Sequence, residues 1–283
     1  MEGKIVRIIS NLCTVEVGDK LINCKPRGKF YHQKLTPLVG DKVIIDEENA
    51  YILDILPRKN SLHRPTIANV DGAIIVTSVK EPNLSLFLLD KLLTLIISNN
   101  IKPIICFTKV DLLNENELKE FNKIYDYYNR IGISAVTNSE LGKLEKLTEG
   151  MTLVLTGQTG AGKSSLLNRL NPNFNLDTNE ISKALGRGVH TTRHTELFKY
   201  KTSLIADTPG FSSLDLEGLT KENIRDSFIE FGFDCKFSDC YHKNEQGCSV
   251  KERVESKDIL ESRYDNYLKL VMECESSRII YKK

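Results

Sequence analysis

The sequence has no tryptophan, three methionines and no long apolar run. Its most apolar stretches, such as Ile74–Val76 and Leu92–Ile97, fall far short of the ~18 residues that a membrane span needs. The first residues, MEGKIVRIIS, lack the apolar core of a signal peptide. The net charge is also small, at +1. Residues 1–65 carry a small surplus of basic residues, which does not by itself indicate nucleic-acid binding. We therefore expect a soluble, cytoplasmic protein without a membrane partner.

The number of cysteines, seven, is odd, and four of them are scattered along the chain, which argues against a disulfide framework. Cys13, Cys24 and Cys106 lie in apolar, strand-like segments and are expected in the core. Cys274 is expected to be an ordinary helix residue. The remaining three crowd together beside a histidine near the C-terminus and need a separate explanation.

Residues 3–56 alternate between short strand-like segments and turns, which is typical of a small β-barrel. The five predicted strands are Lys4–Ile9, Cys13–Val17, Leu21–Lys25, Lys42–Asp46 and Tyr51–Ile55. The long connection between the third and fourth strands favours an OB-fold barrel over an SH3-like one, and a generic β-subdomain stays open as the alternative. Residues 57–65, PRKNSLHRP, are predicted to be a polar linker.

After this segment, strands alternate with helices, which predicts a mostly parallel sheet covered by helices. The predicted strands are Gly72–Val79, Pro103–Phe107, Ile131–Val136, Thr152–Thr156, Glu196–Tyr200 and Thr202–Ala206; the predicted helices are Phe87–Ser98, Glu115–Tyr128 and Lys163–Leu170. From about Leu219 onwards the chain is polar and predicted to be helical. We therefore expect a multidomain α/β protein with an N-terminal barrel and a C-terminal helical domain.

Residues 157–164, GQTGAGKS, match the phosphate-binding pattern G-x-x-x-x-G-K-[ST] in the context that it needs, between a strand and a helix. The glycines allow backbone N–H groups to wrap the phosphates, Lys163 neutralises the β- and γ-oxygens, and Ser164 ligates Mg²⁺. A glycine-rich turn without a ligand accounts poorly for this combination. The predicted nucleotide-binding residues of this loop are Gly157, Gln158, Thr159, Gly160, Ala161, Gly162, Lys163, Ser164 and Ser165.

A second motif, Thr108-Lys109-Val110-Asp111, follows a predicted strand and points to guanine. The Asp111 carboxylate can accept from guanine N1–H and the 2-amino group, and the Lys109 stem can lie on the ring. GTPases normally have asparagine at position 108, so we expect this loop to lose its amide tie to the phosphate-binding loop and some guanine selectivity. Ser134 and Ala135 are predicted to close the next strand and to meet guanine O6. A helix cap is the alternative for Lys-x-Asp alone.

The DTPG motif follows a further predicted strand. Asp207 is expected to hold the Mg²⁺ shell, and the Gly210 N–H to sense the γ-phosphate. Upstream, in a glycine-rich stretch, Thr192 is predicted to complete the Mg²⁺ site, and a solvated loop is the alternative.

Phe211 stands where many GTPases have the glutamine that orients the attacking water, so we expect slow intrinsic hydrolysis. His190 or a partner would then position the water. On residue type alone, His190 fits a solvated loop histidine equally well.

The order of these motifs is itself informative. In Ras-like GTPases the phosphate-binding loop comes first, whereas here the guanine segments precede it and DTPG comes last. This order predicts a circularly permuted GTPase. The segment after DTPG leads directly into the C-terminal domain, so we expect nucleotide state to move that domain.

Near the C-terminus, the spacing Cys-x₄-Cys-x-His-x₅-Cys supplies three thiolates and one imidazole. This set binds Zn²⁺ tetrahedrally in structural sites, and four protein ligands leave no open position for water. One structural zinc would stabilise a short domain that has few large apolar residues. The predicted ligands are Cys235, Cys240, His242 and Cys248, and buried free thiols are the alternative.

A barrel, a permuted GTPase and this cysteine–histidine cluster together resemble the RsgA family, bacterial GTPases that depend on the small ribosomal subunit and are also called YjeQ or YloQ. The resemblance extends over essentially the whole chain, and PRKNSLHRP, GRGVHTTR and DTPGF are further matches. It implies an OB-fold barrel, GTP hydrolysis stimulated by the small (30S) subunit, a late checkpoint role in maturation of that subunit, and contact with 16S rRNA. The family's switch histidine falls on His190.

The barrel and the segment after it carry basic side chains that fit an RNA partner, although each alone could equally belong to a solvated face. They are Lys25, Arg27, Lys29, Lys34, Arg58, Lys59 and Arg64. The expected domains are 1–64, 65–215 and 216–283, and the expected partners of the monomeric chain are GTP or GDP, the 30S subunit and 16S rRNA. Two other functions stay open: a nucleotide-gated RNA-binding scaffold in which hydrolysis is not essential, and a P-loop enzyme that phosphorylates a small molecule.

Overall fold

The computed structural model describes residues 1–32, 35–63, 65–170, 195–207, 218–232 and 234–280. Its first part is the predicted five-stranded barrel. The strands are β1 (Glu2–Ile9), β2 (Leu12–Val17), β3 (Lys20–Pro26), β4 (Lys42–Asp46) and β5 (Tyr51–Ile55), and a single helical turn, α1 (Lys29–His32), follows β3. β1 pairs with both β2 and β4, and β5 joins β3 to β4, so the barrel closes. Apolar side chains that alternate along the strands fill it, and Cys13 and Cys24 are among them, as predicted.

Part of the predicted linker is instead a hairpin strand. β6 (Ser61–His63) pairs with β7 (Thr66–Ala68) directly after the barrel. The polar side chains around it bind the main chain: Asn60 accepts from the Val70 N–H at 2.9 Å and donates to the Val70 carbonyl at 2.8 Å. On the barrel side, Asn69 Nδ2 donates to the Gly40 carbonyl at 3.0 Å. These bonds fix the barrel against the sheet that follows, which a free linker would not do.

That sheet has the strand order β10-β9-β8-β11-β13-β12. Its strands are β8 (Gly72–Ser78), β9 (Lys102–Thr108), β10 (Ser134–Thr137), β11 (Thr152–Gly157), β12 (Glu196–Tyr200) and β13 (Ser203–Asp207). All run parallel except β12, which is antiparallel to β13. The outer edge of β12 also pairs with β1, where Arg7 lies opposite Glu196, so the barrel and the sheet are continuous.

Helices cover both faces of the parallel sheet, as predicted. They are α2 (Leu86–Ser98), α3 (Glu115–Arg130), α4 (Leu141–Thr148) and α5 (Lys163–Leu170). One apolar cluster joins α2 and α3 to the sheet, and a second joins α4 and α5 to its other face, where Cys106 is buried as predicted. The short α4 was not predicted. α3 begins at a capping box, in which Asn114 and Glu117 satisfy each other's backbone N–H groups.

The C-terminal part is helical, as predicted, with α6 (Lys221–Ser227), α7 (Ser249–Glu255) and α8 (Glu261–Ile280). No strand occurs in the described residues from 218 to 280. These helices pack around Phe228, Phe231 and Tyr267, and Cys274 is buried in α8 as predicted. α6 and α8 also pack against α2 of the preceding part. In the described part of the chain we find no helix that is long and apolar enough to cross a membrane.

Candidate nucleotide-binding site and metal centre

The predicted phosphate-binding loop, residues 157–164, connects β11 to α5 at the carboxyl edge of the parallel sheet. At its start Gly157 has a φ of 133°, and a Cβ there would lie 1.9 Å from the Val76 carbonyl oxygen, so no other residue fits. Gly160 and Gly162 also have positive φ, at 77° and 91°. These conformations turn the chain tightly before α5 begins at Lys163. The loop therefore has a backbone that can wrap phosphate oxygens.

Lys163 turns back onto its own loop. Its Nζ donates to the carbonyl oxygens of Gly157 at 2.8 Å and Gln158 at 2.7 Å. Burial lowers the pKa of the ammonium group, which means that these carbonyls compensate its charge incompletely. Phosphate oxygens, being charged, would compensate it better. Ser164 follows in the first turn of α5 and is nearly buried, at 5% exposure, where its hydroxyl can ligate a magnesium ion.

Thr108 ends β9 beside the phosphate-binding loop. The expected loss of the tie between the two loops is not observed. Thr108 Oγ1 donates to the Ala161 carbonyl oxygen at 2.7 Å, so the threonine hydroxyl ties the two loops together although the usual asparagine amide is missing. Lys109 follows in the left-handed region, with a φ of 61°, and its Nζ donates to the Glu81 carbonyl oxygen. Asp111 lies exposed on a single 3₁₀ turn, where its carboxylate is accessible to a base.

Ser134 and Ala135 do not lie where the sequence predicts. They are the first two residues of β10 rather than the last, and they pair with the middle of β9. Ala135 is fully buried, and its N–H donates to Asn129 Oδ1 at 3.0 Å, which leaves that N–H unavailable to guanine O6. The prediction is wrong because the SAVT segment is itself the strand.

The turn beyond β10 reaches the same edge of the sheet as Thr108 and was not predicted from the sequence. The Asn138 N–H donates to the Phe107 carbonyl oxygen at 2.8 Å, one residue before Thr108. The hydroxyls of Thr137 and Ser139 are 2.7 Å apart and brace the turn. Its sequence signal is a run of small polar residues directly after an apolar strand. This turn is better placed than Ser134 and Ala135 to meet the base.

The remaining predicted nucleotide contacts fall on the glycine-rich stretch before β12 and at or beyond the end of β13. The main chain of Asp207 ends that strand, which lies next to β11 and therefore at the same sheet edge as the phosphate-binding loop. Thr192, His190 and Gly210 lie outside the described residues.

The structure brings the four predicted metal ligands together. One ligand atom from each of Cys235, Cys240, His242 and Cys248 lies within 4.8 Å of all the others. The sulfurs of Cys235 and Cys248 are 3.8 Å apart, and each is 3.4 Å from His242 Nδ1. Tetrahedral zinc with bonds of ~2.3 Å to sulfur puts two sulfurs ~3.8 Å apart. The residues present therefore fit one four-coordinate metal ion.

The protonation states of this cluster also suit a metal. Burial lowers the pKa of His242, which keeps its imidazole neutral, as a ligand must be. Burial raises the pKa of Cys240 to about 12 and also raises that of Cys248. Without a cation these thiols therefore stay protonated, and a metal ion would displace their protons.

The basic residues assigned to RNA contact divide into three groups. Arg58 donates twice to the fully buried Asp41 carboxylate, at 2.7 and 2.8 Å, and Lys59 pairs with Asp71, so these two cations serve the fold. Lys25, Arg27 and Lys29 are exposed on the barrel. Lys34 and Arg64 lie outside the described residues.

Comparison with known families and proteins gives matches along nearly the whole chain. Residues 2–52 match the model of the RsgA N-terminal domain, and residues 55–217 match that of the RsgA GTPase. The small ribosomal subunit biogenesis GTPase RsgA 2 of Oceanobacillus iheyensis is 44% identical over 291 residues, or 99% of each chain. The RsgA protein of Enterococcus faecalis is 41% identical and covers 100% of this chain and 98% of its own.

Two solved structures are similar in both sequence and fold. YloQ, described as a circularly permuted GTPase, is 36% identical with a TM-score of 0.82, over 98% of this chain and 95% of its own. YjeQ from Thermotoga maritima is also 36% identical, with a TM-score of 0.83, over 96% of this chain and 98% of its own.

Proposed function

Because the chain belongs to the RsgA family of circularly permuted GTPases, we propose that it hydrolyses GTP in the biogenesis of the small ribosomal subunit. The observation that carries this proposal is the junction of two loops at one sheet edge. Residues 157–164 form a phosphate-binding backbone, and the Lys-x-Asp motif after β9 is joined to it by the bond from Thr108 to Ala161. A phosphate-binding loop alone accepts any nucleotide, whereas the adjoining carboxylate of Asp111 selects guanine.

In this proposal each part of the site acts on a different part of GTP. Lys163 leaves the two carbonyls of its own loop and contacts the β- and γ-phosphates, while the main-chain N–H groups of that loop wrap the others. Ser164, Asp207 and Thr192 are the residues that would hold magnesium, which would neutralise phosphate charge when it is bound with GTP. Gly210 contacts the γ-phosphate, and His190 orients the attacking water.

The cysteine–histidine cluster would hold one zinc ion with a structural role. Its four protein ligands leave no position for a reacting water, and they lie in the segment between α6 and α7, ending at Cys248 directly before α7, rather than at the phosphate-binding edge of the sheet. We assign residues 1–64 to the barrel domain, 65–215 to the GTPase domain and 216–283 to this zinc domain.

The partner follows from the relatives, which are named small ribosomal subunit biogenesis GTPases. We propose that the chain acts as a monomer in the cytoplasm, docks on the 30S subunit in its GTP state and contacts 16S rRNA. The exposed Lys25 and Arg27 of the barrel are available to meet RNA phosphates, and so is Lys29, whose 3.8 Å ion pair with Asp54 is itself exposed, whereas Arg58 is bound to the buried Asp41 and Lys59 pairs with Asp71.

Phosphate release from GTP tests the proposal directly. The reaction is followed with and without purified small ribosomal subunits, with large subunits and with ATP as a competitor. We expect slow basal release, strong stimulation by small subunits alone and no competition by ATP. Lys163→Ala should abolish stimulated release, whereas Lys146→Ala, which removes an exposed lysine from α4, should match the wild type.

Two outcomes would contradict parts of this proposal. A protein that binds GTP and zinc but is not stimulated by small subunits would retain the nucleotide site and lose the ribosomal role. A Lys163→Ala protein that still supports subunit maturation would favour a nucleotide-gated RNA-binding scaffold.

A further inference from the structure

The side chain of Thr108 lies between the loop that would hold the base and the loop that would hold the phosphates. It is 4% exposed, and its Oγ1 is 2.7 Å from the Ala161 carbonyl oxygen and 3.4 Å from the Thr77 carbonyl oxygen. A hydroxyl has one proton to donate, and the shorter distance assigns it to Ala161. One buried hydrogen bond therefore joins segments that are 53 residues apart.

The surroundings of this bond hold both loops close together. A Cβ added at Gly162 would lie 3.9 Å from both Oγ1 and Cγ2 of Thr108, which is ordinary packing distance. Ala161 is fully buried. On the other side, Lys109 is fixed by its bond to the Glu81 carbonyl, and Pro82 next to it approaches Gly160. The start of the guanine motif is thus anchored directly on the phosphate-binding loop.

We propose that Thr108 is a positioning residue whose hydroxyl sets the separation between Asp111 and the phosphate-binding loop. The inference rests on the proposed binding of guanine nucleotides. A nucleotide spans both loops, so it binds tightly only if the base and the diphosphate meet their partners at the same time. The threonine takes over, with a shorter reach, the tie that an asparagine amide provides in other GTPases. Loss of the hydroxyl would leave each loop intact but free to shift relative to the other.

The test compares Thr108→Val, which keeps the shape and removes the hydroxyl, with Thr108→Ser, which keeps the hydroxyl. The matched control is Thr148→Val, because Thr148 on α4 is also buried and donates its hydroxyl to a main-chain carbonyl, that of Leu144 at 2.9 Å. For each protein we would measure the dissociation constants of GDP and of IDP, which lacks the 2-amino group, the GDP dissociation rate and the thermal midpoint.

We expect Thr108→Val to weaken GDP binding by ~3- to 10-fold, the effect of one net hydrogen bond, mainly through faster dissociation. The preference for GDP over IDP should also fall, because Asp111 no longer lies opposite the base in a fixed position. Thr108→Ser should stay closer to the wild type than to Thr108→Val. Thr148→Val should lower the thermal midpoint comparably and leave both nucleotide constants unchanged.

The failures are distinguishable. A wild type that binds no guanine nucleotide would overturn the proposed function and this inference together. A wild type that binds GDP, with Thr108→Val matching it in affinity, dissociation rate and base preference, would overturn the inference alone. The same follows if Thr108→Ser is as defective as Thr108→Val. Should Thr108→Val fail to fold, Thr108→Ala provides the hydroxyl-free protein for the same measurements.

Discussion

Arg263 on α8 is the central cation of a buried cluster, and its replacement by methionine should loosen the C-terminal helices from the GTPase sheet. Its side chain is 1% exposed. Nη1 donates to Asp90 of α2 at 2.7 Å, and Nε and Nη2 donate to Glu230, after α6, at 2.7 and 3.2 Å. Tyr127 and Tyr128 of α3 donate to the same two carboxylates. One guanidinium therefore connects three helices and the segment that follows a fourth.

The expected loss follows from the two carboxylates left behind. Methionine fills most of the space of Arg263 but leaves Asp90 and Glu230 buried without a cation, and breaking such a pair costs ~3–5 kcal/mol. At roughly 2–4 °C per kcal/mol for chains of this size, the thermal midpoint should fall by about 6–20 °C. Asp90 keeps hydrogen bonds from Tyr128 and Asn266, and burial already raises its pKa, so its protonation should hold the loss near the lower limit.

Scanning calorimetry at pH 7 and amide exchange along α8 provide the readouts. Lys123→Met is the matched control, since it removes a cation from an ion pair with Glu120 whose side chains are 67% and 70% exposed; we expect it to cost less than ~1 kcal/mol. Adding Asp90→Asn and Glu230→Gln to Arg263→Met removes the uncompensated charge and should recover much of the loss. An Arg263→Met protein as stable as Lys123→Met, with unchanged exchange in α8, would refute the reasoning.

Three shorter predictions concern other parts of the molecule. Metal analysis should find one zinc per chain, absent from Cys240→Ser and retained in Cys274→Ser; equal zinc content in the two variants would contradict the ligand assignment. Hydrogen bonds from Lys59 and Thr152 outweigh burial and hold the pKa of Asp71 below its ordinary 3.8. The stability that the Asp71 carboxylate contributes is fully present above its ordinary pKa and is lost as pH falls through its lower pKa in the folded protein. Wild type and Asp71→Asn should therefore differ in thermal midpoint at pH 7 and converge in acid. Gly40→Ala should lower the free energy of unfolding by ~3 kcal/mol or more, because the added Cβ would meet the Ala68 carbonyl oxygen. Gly18→Ala, where the added Cβ has open space around it, should lower it by ~1–2 kcal/mol. Comparable denaturant midpoints for the two variants would exclude this steric explanation.

The features that could be predicted from the sequence are those with a local signal. The barrel strands were located within one or two residues, because inward and outward side chains alternate along each of them. The phosphate-binding loop and the four metal ligands have spacings that serve one chemical purpose, so a short window is enough to recognise them. The permuted order of motifs required no structure, since it depends only on position along the chain.

The features that were missed depend on hydrogen bonds between residues distant in sequence, or on where a strand begins. Nothing in PRKNSLHRP indicates that Asn60 binds the main chain ten residues later. From the sequence, Thr108 indicates only that the usual asparagine is missing, whereas in the structure its hydroxyl donates to the Ala161 carbonyl oxygen. Ala135 belongs to a familiar small-residue pair, but its N–H is taken by Asn129. Such partners follow from the register of strands and loops, which a pattern of residue types does not specify.

The strand pairing also constrains how nucleotide state can reach the other domains. Glu196 at the start of β12 pairs with Asp207 at the end of β13, and on its other side with Arg7 of the barrel. A shift in the glycine-rich stretch before β12 would therefore reach β1 through β12, and a shift in the DTPG segment would reach it through β13 and β12. The C-terminal helices are instead held on α2 and α3 by the Arg263 cluster, so their predicted movement must either carry those helices along or break a buried charge network. We accordingly expect exchange of GDP for a non-hydrolysable GTP analogue to change amide exchange more in β12 and β1 than in α8, and a larger change in α8 would show that the cluster opens.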